Sequence, residues 1–114
     1  MKKDPLLLID DILESIQAIQ AYLDGVDREA FLTNPEKQDA VLRRLAIIGE
    51  AVKKLPAEFR QQHPDIPWKY MAGTRDVLIH DYDGVNLQIV GISRRMHFRP
   101  WPPSCARCWI SPRR

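Results

Sequence analysis

A chain of 114 residues, 45% hydrophobic and 28% charged, has the make-up of one folded domain with a modest core. No apolar run approaches the ~20 residues of a membrane span. The opening Met1-Lys2-Lys3-Asp4 leads through Leu6 to Ile9 straight into Asp10 and Asp11, too short and too acidic for a secretory signal, so a cytoplasmic protein with no membrane partner is expected. The net charge of +2 is an uneven average: residues 1–90 hold 11 basic against 15 acidic residues, a net −4, and residues 91–114 hold six arginines and no acid, a net +6. The basic character belongs to the end of the chain and is no nucleic-acid footprint of the folded part.

Residues from about 5 to 24 predict a helix. Ile9, Ile12, Ile16, Ile19 and Leu23 recur at the spacing that lines one helical face, Asp4 and Pro5 suit its start, and Gly25 suits its end. Val26 to Thr33 read as a connector. Asn34-Pro35-Glu36 is a strong helix start, and Val41, Leu45, Ile48, Val52 and Leu55 then step by alternating fours and threes until Pro56 stops the pattern. Gly49 in the middle of that helix predicts a close approach of a second helix, since glycine there otherwise costs ~1 kcal/mol against alanine. Glu50 beside it is either a solvated acid or faces a site.

Ala57 to Gln62 predict a short helix and His63-Pro64-Asp65-Ile66-Pro67 a turn, with His63 as a turn residue. Trp68 opens a further helix to about His80. Asp83-Gly84-Val85-Asn86 reads as a second turn, with Asn86 capping a last helix that fails after Val90. Beyond Val90 no apolar period is evident, and three prolines fall between residues 100 and 103. Two regions follow from this: a helical domain over 1–90 and an irregular Arg/Pro/Trp-rich tail over 91–114. The composition changes as a slipped reading frame would change it, with loss of a native terminal helix. Within the tail, Cys105 and Cys108 form one CxxC. A structural zinc site needs four ligands, and even with His97 as a third this set predicts no metal. Trp101, Trp109 and the tail arginines are nucleic-acid-compatible but read more simply as an adherent end.

The functional signal lies in Gly73-Thr74-Arg75-Asp76-Val77-Leu78-Ile79-His80-Asp81-Tyr82. RNA carries its own nucleophile, the 2′-OH, so cutting it requires proton movement and relief of charge at phosphorus. Histidine moves protons near neutral pH, and arginine presents a fixed fork of donors to phosphate oxygens. No metal or other cofactor is needed for that. Asp76 precedes His80 by one helical turn and can orient or charge-stabilise the imidazole. Tyr82 positions a nucleotide, accepts a modification, or is simply a core aromatic with a wet hydroxyl. Arg75 and His80 lie roughly 140° apart on an ideal helix. Either the helix loosens near His80 or the site joins groups from two copies of the chain. An Arg-x4-His spacing alone is weak, and Arg75 paired with Asp76 or Asp81 is an equally simple use of it.

Ile48-Gly49-Glu50-Ala51, Leu55-Pro56, Pro67 through Tyr82 and Gly84-Val85-Asn86, in that order and spacing, resemble the HepT-like proteins of the HEPN superfamily, from about Asp4 to Val90. The resemblance implies an all-α, HEPN-type antiparallel bundle of four to five helices that forms a homodimer, with two motifs in a shared cleft. It implies the toxin of a bacterial or archaeal type VII-like toxin–antitoxin pair: a metal-independent endoribonuclease acting on RNA, with Arg75 and His80 as the catalytic pair and Asp76 supporting them. The cognate partner is then a minimal nucleotidyltransferase acting as antitoxin, able to transfer AMP to Tyr82. Bulky negative charge beside His80 would repel RNA phosphate. A second reading makes the chain a non-catalytic, nucleotide- or substrate-presenting partner subunit of that nucleotidyltransferase, and a third a helical dimerisation protein with a chance motif.

Overall fold

The computed structural model describes residues 4–78 and 81–97, with backbone only at positions 75–77 and 97. Its first helix, α1, spans Pro5–Leu23. The Asp4 carboxylate accepts a hydrogen bond from the Leu6 amide at 2.8 Å, relieving one of the donors that every helix start leaves free. Leu8, Ile9, Ile12, Leu13, Ile16, Ile19 and Leu23 form its buried stripe. Gly25 ends the helix with a φ of +72°, a left-handed conformation that any Cβ would strain.

The expected connector contains a short helix, α2, over Arg28–Leu32. Asp27 caps it, accepting from the Ala30 amide at 2.8 Å. The Gln38 side-chain amide donates to the carbonyls of Phe31 and Leu32 at 2.9 and 3.0 Å and closes its other end. The long helix α3 spans Pro35–Lys54, with Asn34 accepting from the Lys37 amide as the sequence predicts. Lys37 Nζ donates to the Tyr22 carbonyl at 2.8 Å. The start of α3 therefore lies beside the end of α1, and the two long helices, which pack along one another, run antiparallel.

Two further elements precede the motif: α4 over Ala57–Gln61 and α5 over Trp68–Val77. The turn between them is wound on the Trp68 indole, whose N–H donates to both the Arg60 and the His63 carbonyls at 3.1 Å. Gly49 does permit a close approach. A Cβ placed there would stand 3.2 Å from the Ala72 carbonyl oxygen, which is backbone of α5 and cannot swing aside. We expect Gly49→Ala to be near neutral, the helix-propensity gain of ~1 kcal/mol offsetting the contact. Gly49→Val is expected to cost about 1–3 kcal/mol by prising α5 from α3. Urea denaturation checks this, and a valine variant as stable as the parent would remove the explanation.

The last described helix, α6, spans Tyr82–His97 and corrects the sequence reading at both ends. Asp83-Gly84-Val85-Asn86 is its first turn rather than a loop. Asp81 caps it, with its carbonyl accepting from the Val85 amide at 2.9 Å and its carboxylate from Gly84 N–H at 3.3 Å. A Cβ at Gly84 would collide with that carboxylate, so the glycine that resembles a turn signal is room for the cap. The helix also passes through the boundary drawn after Val90. Tyr82, Val85, Ile89, Ile92 and Met96 are all buried and step by three, four, three and four. Arg94 and Arg95 stand on the exposed face between them. Arg95 donates to the Gly91 and Asp65 carbonyls, tying α6 to the α4–α5 turn. The expected loss of helix after Val90 is thereby overturned as far as His97; the rest of the irregular tail, with its CxxC, and the slipped frame expected for it lie outside the described residues.

Among the described residues the fold is all-α, with six helices and no strand. Four long helices, α1, α3, α5 and α6, share one core, to which the single-turn helix α2 adds Phe31 and α4 the partly buried Phe59. No described helix is long and apolar enough to cross a membrane.

Candidate active site

The motif straddles the junction of α5 and α6, and buried side chains hold it on both sides. Thr74, inside α5, is almost fully buried and donates from Oγ1 to the Tyr70 carbonyl one turn earlier at 2.7 Å. Leu78, which caps α5, is 0% exposed. Tyr82, the first residue of α6, is 1% exposed, stacks on Phe31 with ring centroids 4.8 Å apart, and donates its hydroxyl proton to the Val26 carbonyl at 2.5 Å. Residues 74, 78 and 82 thus anchor the motif to the core at four-residue intervals.

Arg75 and Asp76 lie in the last described turn of α5, where their backbone is helical. Their side chains, and His80 altogether, lie outside the described residues. The expected helix to about His80 ends at Val77, and the next starts at Tyr82. Tyr82 is the one predicted site residue with a described side chain, and it is a core aromatic whose hydroxyl is tied to backbone rather than wet. Glu50 is exposed.

Two residues to which the sequence assigns no catalytic role, Tyr70 and Asp81, belong to the same junction: the Tyr70 carbonyl accepts from Thr74 and Asp81 caps α6. The Tyr70 phenol is pushed above its ordinary value of 10.0, first by burial and then by the carboxylate of Asp81. Their signal in the sequence is faint: Tyr70 precedes Thr74 by one turn, and Asp81 occurs inside the motif. Tyr82 is also raised from 10.0, chiefly by burial and then by the charges of Asp83 and Asp27.

Both phenols therefore hold their protons more tightly folded than unfolded. Their contribution is fully present below pH 10 and is lost as the pH climbs through the raised values. We expect alkaline unfolding to set in above pH 10, and Tyr82→Phe to lessen the pH dependence there. A melting series from about pH 8 to about pH 11.5 checks it, and identical alkaline slopes in parent and variant would refute it.

The arrangement defines a class: a small helical bundle carrying Arg-x4-His-x-Tyr where two helices meet over the core. The family model described as Ribonuclease HepT-like matches residues 12–94. The chain belongs to the HepT-like ribonuclease family of the HEPN superfamily. It is 48% identical over 87 residues to the "Gamma-glutamylcyclotransferase and putative RNase" of Methanocaldococcus jannaschii, a match covering 76% of this chain and 39% of that one. It is 44% identical over 88 residues to a "Putative RNase" of Caldanaerobacter subterraneus subsp. tengcongensis, covering 77% and 79% of the two chains. With the "Probable ribonuclease HepT" of Thermococcus cleftensis the identity is 42% over 90 residues, covering 79% and 82%. No solved structure matches the chain.

Proposed function

We propose that this chain is the toxin of a type VII-like toxin–antitoxin pair, a metal-independent endoribonuclease that works as a homodimer. The observation that carries the proposal is the complete Arg75-x4-His80-x-Tyr82 motif, in a chain of a ribonuclease family, at a helix junction pinned to the core by Thr74, Leu78 and Tyr82. In the proposed reaction the 2′-oxygen of a ribose bonds to the adjacent phosphorus and the bond to the 5′-oxygen breaks. The 2′-hydroxyl gives up a proton and the departing 5′-oxygen takes one, and His80 serves that traffic. Arg75 offsets the charge that gathers on the non-bridging oxygens. Asp76 supports the imidazole. Because α5 ends at Val77 and α6 starts at Tyr82, positions 75 and 80 do not share one helix, and mixing of variants tests the shared cleft of the proposed homodimer.

Control is assigned to a cognate minimal nucleotidyltransferase that transfers AMP to Tyr82. The buried hydroxyl sets a condition on that step. Its bond to Val26 must break and the ring must turn out from Phe31 before the oxygen can bond to the α-phosphorus of an ATP molecule brought by the nucleotidyltransferase, with loss of the phenol proton and departure of pyrophosphate. Transfer then acts on an opened form of the α5–α6 junction, and the attached phosphate holds it open while repelling RNA.

The test is to purify the chain alone and with its neighbouring nucleotidyltransferase, record intact masses, and incubate each with RNA in the presence of EDTA. Cleavage by the lone chain, and its loss together with a mass gain of whole AMP units, supports the scheme. An unmodified chain that leaves RNA intact ends it.

A further inference from the structure

Outside the motif, one surface combines cationic and apolar groups with no acid among its described lining residues. An open groove of about 570 Å³ runs between α4 and the first half of α5, and Arg60, Gln61, Trp68, Lys69 and Ala72 are among its lining residues. Lys69 and Gln61 are exposed and Arg60 is half-buried. Trp68, held in place by its two backbone acceptors, supplies the apolar wall. None of the described lining residues is acidic, although residues 1–90 carry a net −4. Arg60 Nε is buried without a hydrogen-bond partner, a donor left unsatisfied at the groove wall.

The groove shares its helix with the motif. Around the α5 axis, positions 68, 69, 75 and 76 all fall within about 60° of Ala72, and position 75 is ~9 Å along the axis from position 69. We infer that this groove holds the phosphodiester backbone of the RNA next to the scissile bond, with Lys69 and Arg60 as the anion-binding groups. The inference rests on the ribonuclease reading and adds where the strand lies. A polyanion fits a surface whose described lining residues carry only positive charge in an otherwise acidic domain, whereas an apolar partner segment would leave both cations uncompensated. Contacts of this kind position the strand and carry no base preference.

The experiment measures filter binding and steady-state cleavage of a single-stranded RNA oligonucleotide. It compares the parent with Lys69→Ala, the Arg60→Ala/Lys69→Ala double variant, and Arg43→Ala as an exposed-cation control on α3. The double variant is expected to raise KM and Kd about tenfold with kcat kept. It should also flatten the salt dependence of log K by roughly 1.4, the share of two phosphates on a single strand. Lys69→Ala alone should show about half of each effect on a logarithmic scale, and it changes an exposed side chain, so folding is not at issue. Arg43→Ala should change neither. Unaltered binding and salt slope in Lys69→Ala and the double variant overturn the inference, while parental cleavage leaves the ribonuclease reading standing. If these variants lose binding but the parent cleaves no RNA, the groove is upheld as an RNA-binding surface and the ribonuclease reading falls. If the double variant loses only its association with a nucleotidyltransferase, the groove is a protein-docking surface and the inference is wrong.

Discussion

His80→Ala is expected to reduce RNA cleavage by about 10²–10⁴-fold, the range that a positioned proton-transfer group contributes. The protein should keep its melting temperature, because the core contacts that anchor the motif belong to Thr74, Leu78 and Tyr82. Arg75→Ala should produce a comparable loss by a different route. It removes the guanidinium proposed to offset phosphate charge, and Arg75→Lys should restore little, because a point charge does not reproduce the planar fork. The two losses should not add. Groups that act on one transition state fail together, so the double variant should be close to the worse single one. If the motif is shared between subunits, mixing the two inactive single variants should restore part of the activity. A mixed dimer of that kind holds one cleft with both wild-type groups, provided each cleft takes Arg75 from one subunit and His80 from its partner. Full activity in His80→Ala would show that His80 is not the proton-transfer group, and mixing that never restores activity would place each catalytic pair within one subunit.

The elements legible in the sequence are those in which period and caps agree. For α1 and α3 the three-and-four spacing of isoleucines and leucines coincides with Asp4-Pro5 and Asn34-Pro35, and both caps form the expected side-chain bonds. Gly49 is legible as a close approach because glycine in a helix needs a reason. The departures have physical causes too. α2 is a single turn whose one buried residue is Phe31, so it has no period to read. The start of α6 is hidden because Gly84 serves the Asp81 cap, a tertiary use of a residue that in isolation signals a turn. Its second half is hidden because Arg94 and Arg95 obscure the alternation of Ile89, Ile92 and Met96. The site divides in the same way. Residue types declare a chemistry, so Arg75, His80 and Tyr82 stand out and suggest a family. That Tyr82 is bonded to Val26, a backbone carbonyl 56 residues away, depends on packing that no local pattern encodes.

That packing yields the largest stability effect expected in the chain. Tyr82→Ala deletes a ring that is 1% exposed and stacked on Phe31, and strips the Val26 carbonyl of its donor. Aromatic-to-alanine changes in cores cost about 3–5 kcal/mol, a large part of the roughly 5–15 kcal/mol that holds a typical domain together. For a domain of this size the melting temperature should fall by well over about 10 °C. Tyr82→Phe keeps the ring and loses only the hydroxyl, at about 1–2 kcal/mol. Calorimetry on the two variants separates the terms, and an alanine variant within about 1 kcal/mol of the parent would show that the ring is no anchor. The pair also separates folding from control. Phenylalanine has no oxygen to carry AMP, so Tyr82→Phe should remain folded and cleave RNA while escaping the nucleotidyltransferase. The alanine variant escapes as well, but by weakening the bundle that presents the motif. Under the proposed control, modification of a residue placed this deep competes with folding energy. The rate of AMP transfer should therefore rise in any variant that loosens the ring without removing its hydroxyl, Phe31→Leu being the direct case. Transfer to Phe31→Leu no faster than to the parent would mean that the hydroxyl is reached without opening the junction.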